Sequence, residues 1–199
     1  MEFGQQYTDY QLKNRSLARQ LARKFYLNGS LRLLEGRTID FGCGTGELLQ
    51  KLPAGSVGLE INKFTVDFCR DKGLNVLHYD PQIDKYQLSS LRSGAYESLV
   101  LSHVLEHIEN PAPVLRSLLQ SSCRLGVKRV VIIVPGKKGF LSDPTHKTYI
   151  DPLFFRKNNI TESEGFEMVK QKYFPVNLRF IERFFAHLEL HVVYGGKTG

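Results

Sequence analysis

Five short runs rich in β-branched and aliphatic residues constrain this chain more than any other feature: RTIDF (37–41), SVGLE (56–60), NVLHY (75–79), ESLVL (97–101) and RVVIIV (129–134). Runs that stay apolar instead of alternating are the mark of strands buried on both faces, as in parallel sheets. Amphipathic stretches lie between them. Residues 62–72 have helical period, with Asn62 as a cap and Gly73 as a stop, and PAPVLRSLLQSSCRLG (111–126) opens on proline and closes on Gly126. Strand and helix in this order imply right-handed crossovers and an open α/β sheet covered by helices on both faces. After Gly165 the pattern changes: FEMVKQKYF (166–174) and LELHVVY (188–194) predict two final strands, joined by a helical connection over PVNLRFIERFFAH (175–187).

The 199 residues, 42% hydrophobic and 24% charged, suffice for one well-buried core, and no Pro/Gly/Ser-rich linker divides them, so a single domain over 1–199 is expected. The N-terminus lacks the apolar core of a signal peptide, and no run approaches the roughly 20 apolar residues of a membrane span. A cytoplasmic protein is expected. Cys43, Cys69 and Cys123 are odd in number and far apart, which predicts small buried hydrophobes in place of a zinc or disulfide framework. The net charge of +7 suits an anionic partner. Arg15, Arg19 and Arg23 would form one stripe on a helix, either a solvated face or a phosphate-contacting one.

Ligands of open α/β sheets bind outside the carboxyl ends of the strands, where strand order reverses. The first strand ends there in DFGCGTGELL, in which Gly42, Gly44 and Gly46 permit a sharp turn and a close approach of backbone amides to a ligand. The next strand ends in Glu60, whose carboxylate can accept both hydrogen bonds of a ribose diol. The third leads to Asp80, placed to accept from the exocyclic amine of an adenine.

These residues resemble the class I S-adenosylmethionine-dependent methyltransferases. TIDFGCGTGELL matches the first motif of that family, with Asp40 opening the glycine loop; VGLEIN matches its acidic ribose-binding strand end; LHYD and ESLVLSHVLEHIENP stand where its third and fourth strands end. The spacing G-x-G-x-G differs from the G-x-G-x-x-G of dinucleotide-binding proteins. The resemblance implies a Rossmann-like seven-stranded, mostly parallel sheet in the order 3-2-1-4-5-7-6, the last strand antiparallel. It divides the chain into an N-terminal helical segment (1–36), a cofactor-binding core (37–134), and a substrate loop with terminal strands (135–199). It implies S-adenosylmethionine as cofactor, held by Asp40, Gly42, Cys43, Gly44, Gly46, Glu60, Ile61, Asp80, Pro81, Ser102 and His103.

The stretch SHVLEHIENP (102–111) places His103, Glu106 and His107 on one face if helical, and His146 in SDPTHKTY can return towards them. Three readings stand. The stretch is a wall of the cofactor pocket, as in many similar small-molecule enzymes with LEH and no metal, with His103 placing cofactor or acceptor; or His107 or His146 is a general base, which makes His103, His107 and His146 the candidate catalytic residues; or the set holds zinc, manganese or iron. The last arrangement resembles the metal-dependent enzymes that methylate a terminal ribose 2′-hydroxyl of small RNAs, whose motif is E-x-x-E-H with a later histidine. This chain has His103 where the first glutamate should stand, and the reading adopted is a site without metal. In PGKKGFLSDPTHKTYID (135–151), Gly136 and Gly139 allow a flexible lid made basic by Lys137, Lys138, His146 and Lys147, or else the lysine pair serves solubility alone. Tyr7 and Tyr10 either fold over the cofactor or anchor a helix. The expected activity is methyl transfer to an acceptor that is a small molecule sooner than RNA, because the chain is too short for a separate RNA-binding module. The alternatives are metal-assisted ribose methylation and a binding module that keeps the fold without turnover.

Overall fold

In a computed structural model of the chain, the structure describes residues 17–178 and 185–197, with side chains from Lys24 onward. The five early runs form β1 (Thr38–Phe41), β2 (Val57–Glu60), β3 (Val76–His78), β4 (Ser98–Ser102) and β5 (Arg129–Pro135); β6 (Glu162–Ser163), β7 (Phe166–Phe174) and β8 (Glu189–Gly196) follow. The helices are α1 (Leu17–Leu31), α2 (Lys63–Asp71), α3 (Pro81–Asp84), α4 (Pro111–Leu125), α5 (Lys137–Leu141) and α6 (Pro152–Lys157). All strands join one sheet in the order β3-β2-β1-β4-β5-β8-β7-β6. β1 pairs in parallel with β2 and with β4, whereas β8 runs antiparallel to β5 and β7. The expected seven-stranded order is therefore present, and one strand more: the two-residue β6 adds to the edge by antiparallel pairing with β7.

Parallel strands alternate their side chains between two covered faces. Leu99 and Leu101 of β4 pack with Ile39, Val130, Ile132 and the α4 residues Leu115, Leu118 and Leu119. Val100 points the other way, to Val131, Ile133, Leu33 and the α1 residues Leu27 and Leu31. Helix ends follow local chemistry. Asn62 Oδ1 accepts from the Phe64 N–H at 3.0 Å to start α2, and Gly126, at φ 78°, ends α4. Cys43 and Cys69 are buried, but Cys123 is exposed, its sulfur lying beside Gly165 in the turn between β6 and β7.

Within the predicted lid, Lys137–Leu141 form the helix α5, and the rest of the segment to residue 151 is turn and loop. Its glycines serve close packing: a Cβ on Gly139 would lie 2.7 Å from the Ala186 carbonyl oxygen, and Gly136 N–H donates to the Leu188 carbonyl at 2.7 Å. After the glycine loop, Leu49–Lys51 forms a single 3-10 turn. Of the expected helical connection over 175–187, the described residues 175–178 and 185–187 form bends, turns and irregular chain and not helix; residues 179–184, together with Tyr7, Tyr10, Arg15 and the side chains of Arg19 and Arg23, lie outside the described residues. Among the described residues, no helix is long and apolar enough to cross a membrane.

Candidate active site

The chain runs outward from β1 to β2 and β3, then returns to place β4 on the other side of β1, so strand order reverses between β1 and β4. The carboxyl ends of β1, β2 and β4 open there into a cavity of about 840 Å³. Asp40, Gly42, Cys43, Gly44, Glu60, Ile61, Pro81, Ser102, His103 and His107 line it. Gly46, Asp80 and His146 do not. A Cβ on Gly46 would come within 2.5 Å of Leu74 Cδ1, so this glycine is needed for packing against the end of α2. Asp80 Oδ1 accepts from the Gln82 N–H at 2.8 Å and caps α3. His146 stands behind His107, its ring centroid 4.8 Å away, and its Nδ1 meets the Phe140 carbonyl oxygen at 2.8 Å.

Two buried carboxylates form the floor. Glu60 Oε2 accepts from Gly44 N–H and Oε1 from Asn62 N–H, each at 2.9 Å, so the glycine loop hangs on the end of β2. Burial pushes the Asp40 carboxyl up to about 7, with the charge of Glu60 adding to it and the Leu49 backbone N–H opposing. A carboxylate whose folded-state value is raised costs stability as pH rises from the ordinary 3.8 through about 7. Asp40→Asn is therefore expected to raise the unfolding temperature of the ligand-free protein at pH 8, with the gain fading towards pH 4. The same change should weaken binding of a cationic ligand. Thermal unfolding at both pH values checks the first effect; a variant no more stable than wild type at pH 8 would remove the penalty assigned to Asp40.

His103 has a left-handed backbone, φ 56°, and its ring bridges two acids: Nδ1 lies 3.2 Å from Glu106 Oε1 and Nε2 lies 3.0 Å from Glu189 Oε1. Desolvation by the surrounding cavity wall opposes the charge on the ring, whose side chain is still 44% exposed, but the hydrogen bonds to Glu106 and Glu189 outweigh it and lift its pKa from 6.5 to about 10. Glu189 is lowered to about 2: burial works against its charge, and His103 and His191 overcome it. With both ring nitrogens committed as donors, His103 has no lone pair to accept a substrate proton. The stability this cation contributes is complete below pH 6.5 and is lost as pH rises through about 10. His103→Gln should flatten that alkaline loss, which thermal unfolding across this range would reveal; an unchanged slope would show that His103 does not carry it.

Of the four residues considered for a metal, three converge: one ligand-capable atom each of Glu106, His107 and His146 lies within 4.8 Å of the others. His103 stays outside, held between its two carboxylates.

A family model described as "MetW: Methionine biosynthesis protein MetW" matches residues 30–140, more than half of the chain. The chain belongs to the MetW family. It is 27% identical over 99 residues to a ubiquinone biosynthesis O-methyltransferase of Methylococcus capsulatus, covering 46% of this chain and 41% of that protein. With the enzyme of the same name from Nitrosococcus oceani it shares 27% over 134 residues, 63% of this chain and 51% of that one. The chain thus spans about half the length of the curated relatives it matches. A crystal structure of a SAM-dependent methyltransferase from Archaeoglobus fulgidus superposes with a TM-score of 0.66 at 25% identity, covering 89% of this chain and 94% of that one. The fold is that of the class I methyltransferases.

On this MetW-family chain the structure adds residues that the sequence reading missed. Tyr26, Leu27 and Ser30 of α1 line the cavity, as do Thr145 and Glu189. Burial and Glu189 push the Tyr26 phenol up to about 12, so it stays protonated at neutral pH. Thr145 Oγ1 lies 2.6 Å from Asp143 Oδ1 and 3.1 Å from His107 Nδ1. The Asp-Pro-Thr turn signal was visible in the sequence, but its partner histidine lies 38 residues away. Lys147, predicted as part of a basic lid, lines the cavity and reaches Glu109 at 3.3 Å.

Proposed function

We propose that this chain is an S-adenosylmethionine-dependent methyltransferase acting on a hydroxyl of a small molecule. The observation that carries the reading is a cavity lined both by the glycine loop anchored on Glu60 and by His107. Its volume of about 840 Å³ lies within the roughly 300–1,000 Å³ of ligand pockets and has room for a nucleoside-sized cofactor with a modest acceptor. The O-methyltransferase names of the curated relatives support an oxygen acceptor.

In this reading Glu60 accepts from the ribose hydroxyls with the lone pairs that Gly44 and Asn62 leave free, and Ile61 and Pro81 flank the base. Gly42 and Gly44 bring backbone close to the ligand, and Asp40, Ser102 and His103 border the methionine end. S-adenosylmethionine, when bound, supplies an electrophilic methyl group on a sulfonium. Positioning a nucleophile about 3 Å from that carbon carries much of the rate. A hydroxyl keeps its proton at neutral pH, so it needs an acceptor for that proton, and His107 lines the cavity with one ring nitrogen uncommitted. Calorimetric titration with S-adenosylmethionine and with its demethylated product is the first test. Saturable 1:1 binding of both is expected; failure to bind either would overturn the proposal. An acceptor screen with labelled cofactor, comparing phenolic and aliphatic hydroxyl compounds with small RNAs, separates the substrate classes, and labelling confined to RNA would make ribose methylation the function.

A further inference from the structure

His107, a candidate base, has two distinct ring nitrogens, and only one of them is free to take a proton when the other carries the hydrogen of the neutral ring. Three contacts decide this. Asp143 Oδ1 accepts from both the Thr145 N–H, at 2.8 Å, and the Thr145 hydroxyl, at 2.6 Å. Partial burial opposes the charge on Asp143, and these hydrogen bonds overcome it, holding the carboxyl below its usual range. An ionised carboxylate has no proton to give, so the hydroxyl hydrogen of Thr145 must point at Asp143. Thr145 Oγ1 then offers only lone pairs to His107 Nδ1 at 3.1 Å, and that nitrogen must carry the hydrogen. Among the described residues no hydrogen bond occupies His107 Nε2.

We propose that Asp143 and Thr145 are positioning residues that fix the neutral His107 ring as its Nδ1–H tautomer, so that Nε2 is the atom that takes the acceptor's proton. This rests on the methyltransferase reading above. The acceptor's O–H proton passes to Nε2 as its oxygen takes the methyl group, and the C–S electron pair stays on sulfur. His107 becomes an imidazolium whose Nδ1–H still donates to Thr145, with the charge of Asp143 one hydroxyl away. The proton then leaves Nε2 to solvent. The stacking of Phe140 on His146, ring centroids 5.4 Å apart, and the hydrogen bond from His146 Nδ1–H to the Phe140 carbonyl set the neighbouring ring against the edge of His107. Backbone bonds from Lys147 and Thr148 N–H to the Glu106 carbonyl, at 2.7 and 3.1 Å, tie the Asp143–Thr145 loop to the turn that bears His107.

The test needs neither cofactor nor acceptor. Long-range 1H–15N spectra of the ligand-free protein, labelled at its six histidines and recorded well above the ordinary histidine pKa, report the tautomer of each ring. His107→Gln identifies the His107 signals by their disappearance. In the wild type, His107 is expected in the Nδ1–H form, and Thr145→Ser should keep it. Asp143→Ala releases the Thr145 hydroxyl to donate to Nδ1, so the Nδ1–H to Nε2–H ratio should fall by roughly tenfold or more, the ratio one good hydrogen bond sets. Thr145→Val, which removes the hydroxyl, is the second variant should Asp143→Ala fail to fold, and it should lower the ratio likewise. An Nε2–H ring in the wild type overturns the inference, as does a ratio unmoved in both variants. Elemental analysis of untagged protein provides the other arm: one equivalent of zinc, manganese or iron removed by His107→Gln would mean that a metal occupies this lone pair, and would also overturn it. Failure to bind S-adenosylmethionine overturns the methyltransferase reading alone and leaves the tautomer result standing.

Discussion

Glu60→Ala is expected to raise the Kd for S-adenosylmethionine by about 10- to 150-fold and to lower stability at the same time. Loss of a hydrogen bond to a charged group weakens binding by roughly 1.5–3 kcal/mol, which gives that range of affinity. The second effect is visible only in three dimensions. The carboxylate is 8% exposed and accepts from Gly44 and Asn62, so its removal leaves two amides without partners, at about 1–3 kcal/mol for each one that stays buried. Calorimetry measures the first quantity and denaturant unfolding the second. Glu60→Gln keeps the shape but turns an N–H group towards one of the two donors, and should fall between Ala and wild type in affinity. A folded Ala variant with wild-type affinity would remove Glu60 from the ribose.

Gly42→Val should be the most damaging single change in the loop. Gly42 has φ 73°, a conformation that a β-branched residue adopts only under strain, and its new Cβ would lie 2.6 Å from Val104 Cγ2. Backbone strain of about 1–3 kcal/mol and overpacking of about 1–3 kcal/mol together approach the lower end of the total stability of a typical protein, about 5–15 kcal/mol. The Gly42 N–H also donates to the Leu59 carbonyl at 2.8 Å, so the loop cannot shift without breaking a bond to β2. The urea midpoint should fall steeply and cofactor binding should disappear. A midpoint equal to wild type would mean that the loop can rebuild around a side chain.

Strands buried on both faces must be apolar throughout, which is why β1 to β5 could be placed from the sequence to within a residue or two. β6 could not: Glu162 and Ser163 pair with β7 along the backbone, Glu162 adds an ion pair to Lys197, and neither residue gives an apolar pattern to announce the strand. The caps at Asn62 and Gly126 were legible because a helix end is solved by its own neighbours. The cavity divides along the same line. The glycine loop and Glu60 are continuous with strands, so their meeting follows from the sheet. His103 and Glu189 are 86 positions apart, and nothing local brings them together. Helical spacing placed His103 beside Glu106 and His107, yet only Leu105–His107 forms a 3-10 turn, and the left-handed backbone of His103 turns its ring to bridge Glu106 and Glu189. The tautomer of His107 is further removed still, since it depends on a hydroxyl direction set by Asp143.

The wall of the cavity away from the strands is held differently from its floor. There α1 contributes Tyr26 and Leu27, and Phe25 and Tyr26 pack against Phe174, whose ring stacks on His191 at 4.9 Å. The floor is an inheritance the chain cannot easily alter, because every residue in it also closes the sheet. The wall rests on a helix, a turn and a loop; its Leu27 packs with Val100, Val131 and Ile133 of the sheet, whereas Tyr26 stands outside that cluster. Descendants of such a chain can keep the cofactor and change the acceptor, so diversification under selection should collect at Tyr26 and its exposed neighbour Phe25, while the strand ends, Leu27 and the Asp143–Thr145 pair stand still.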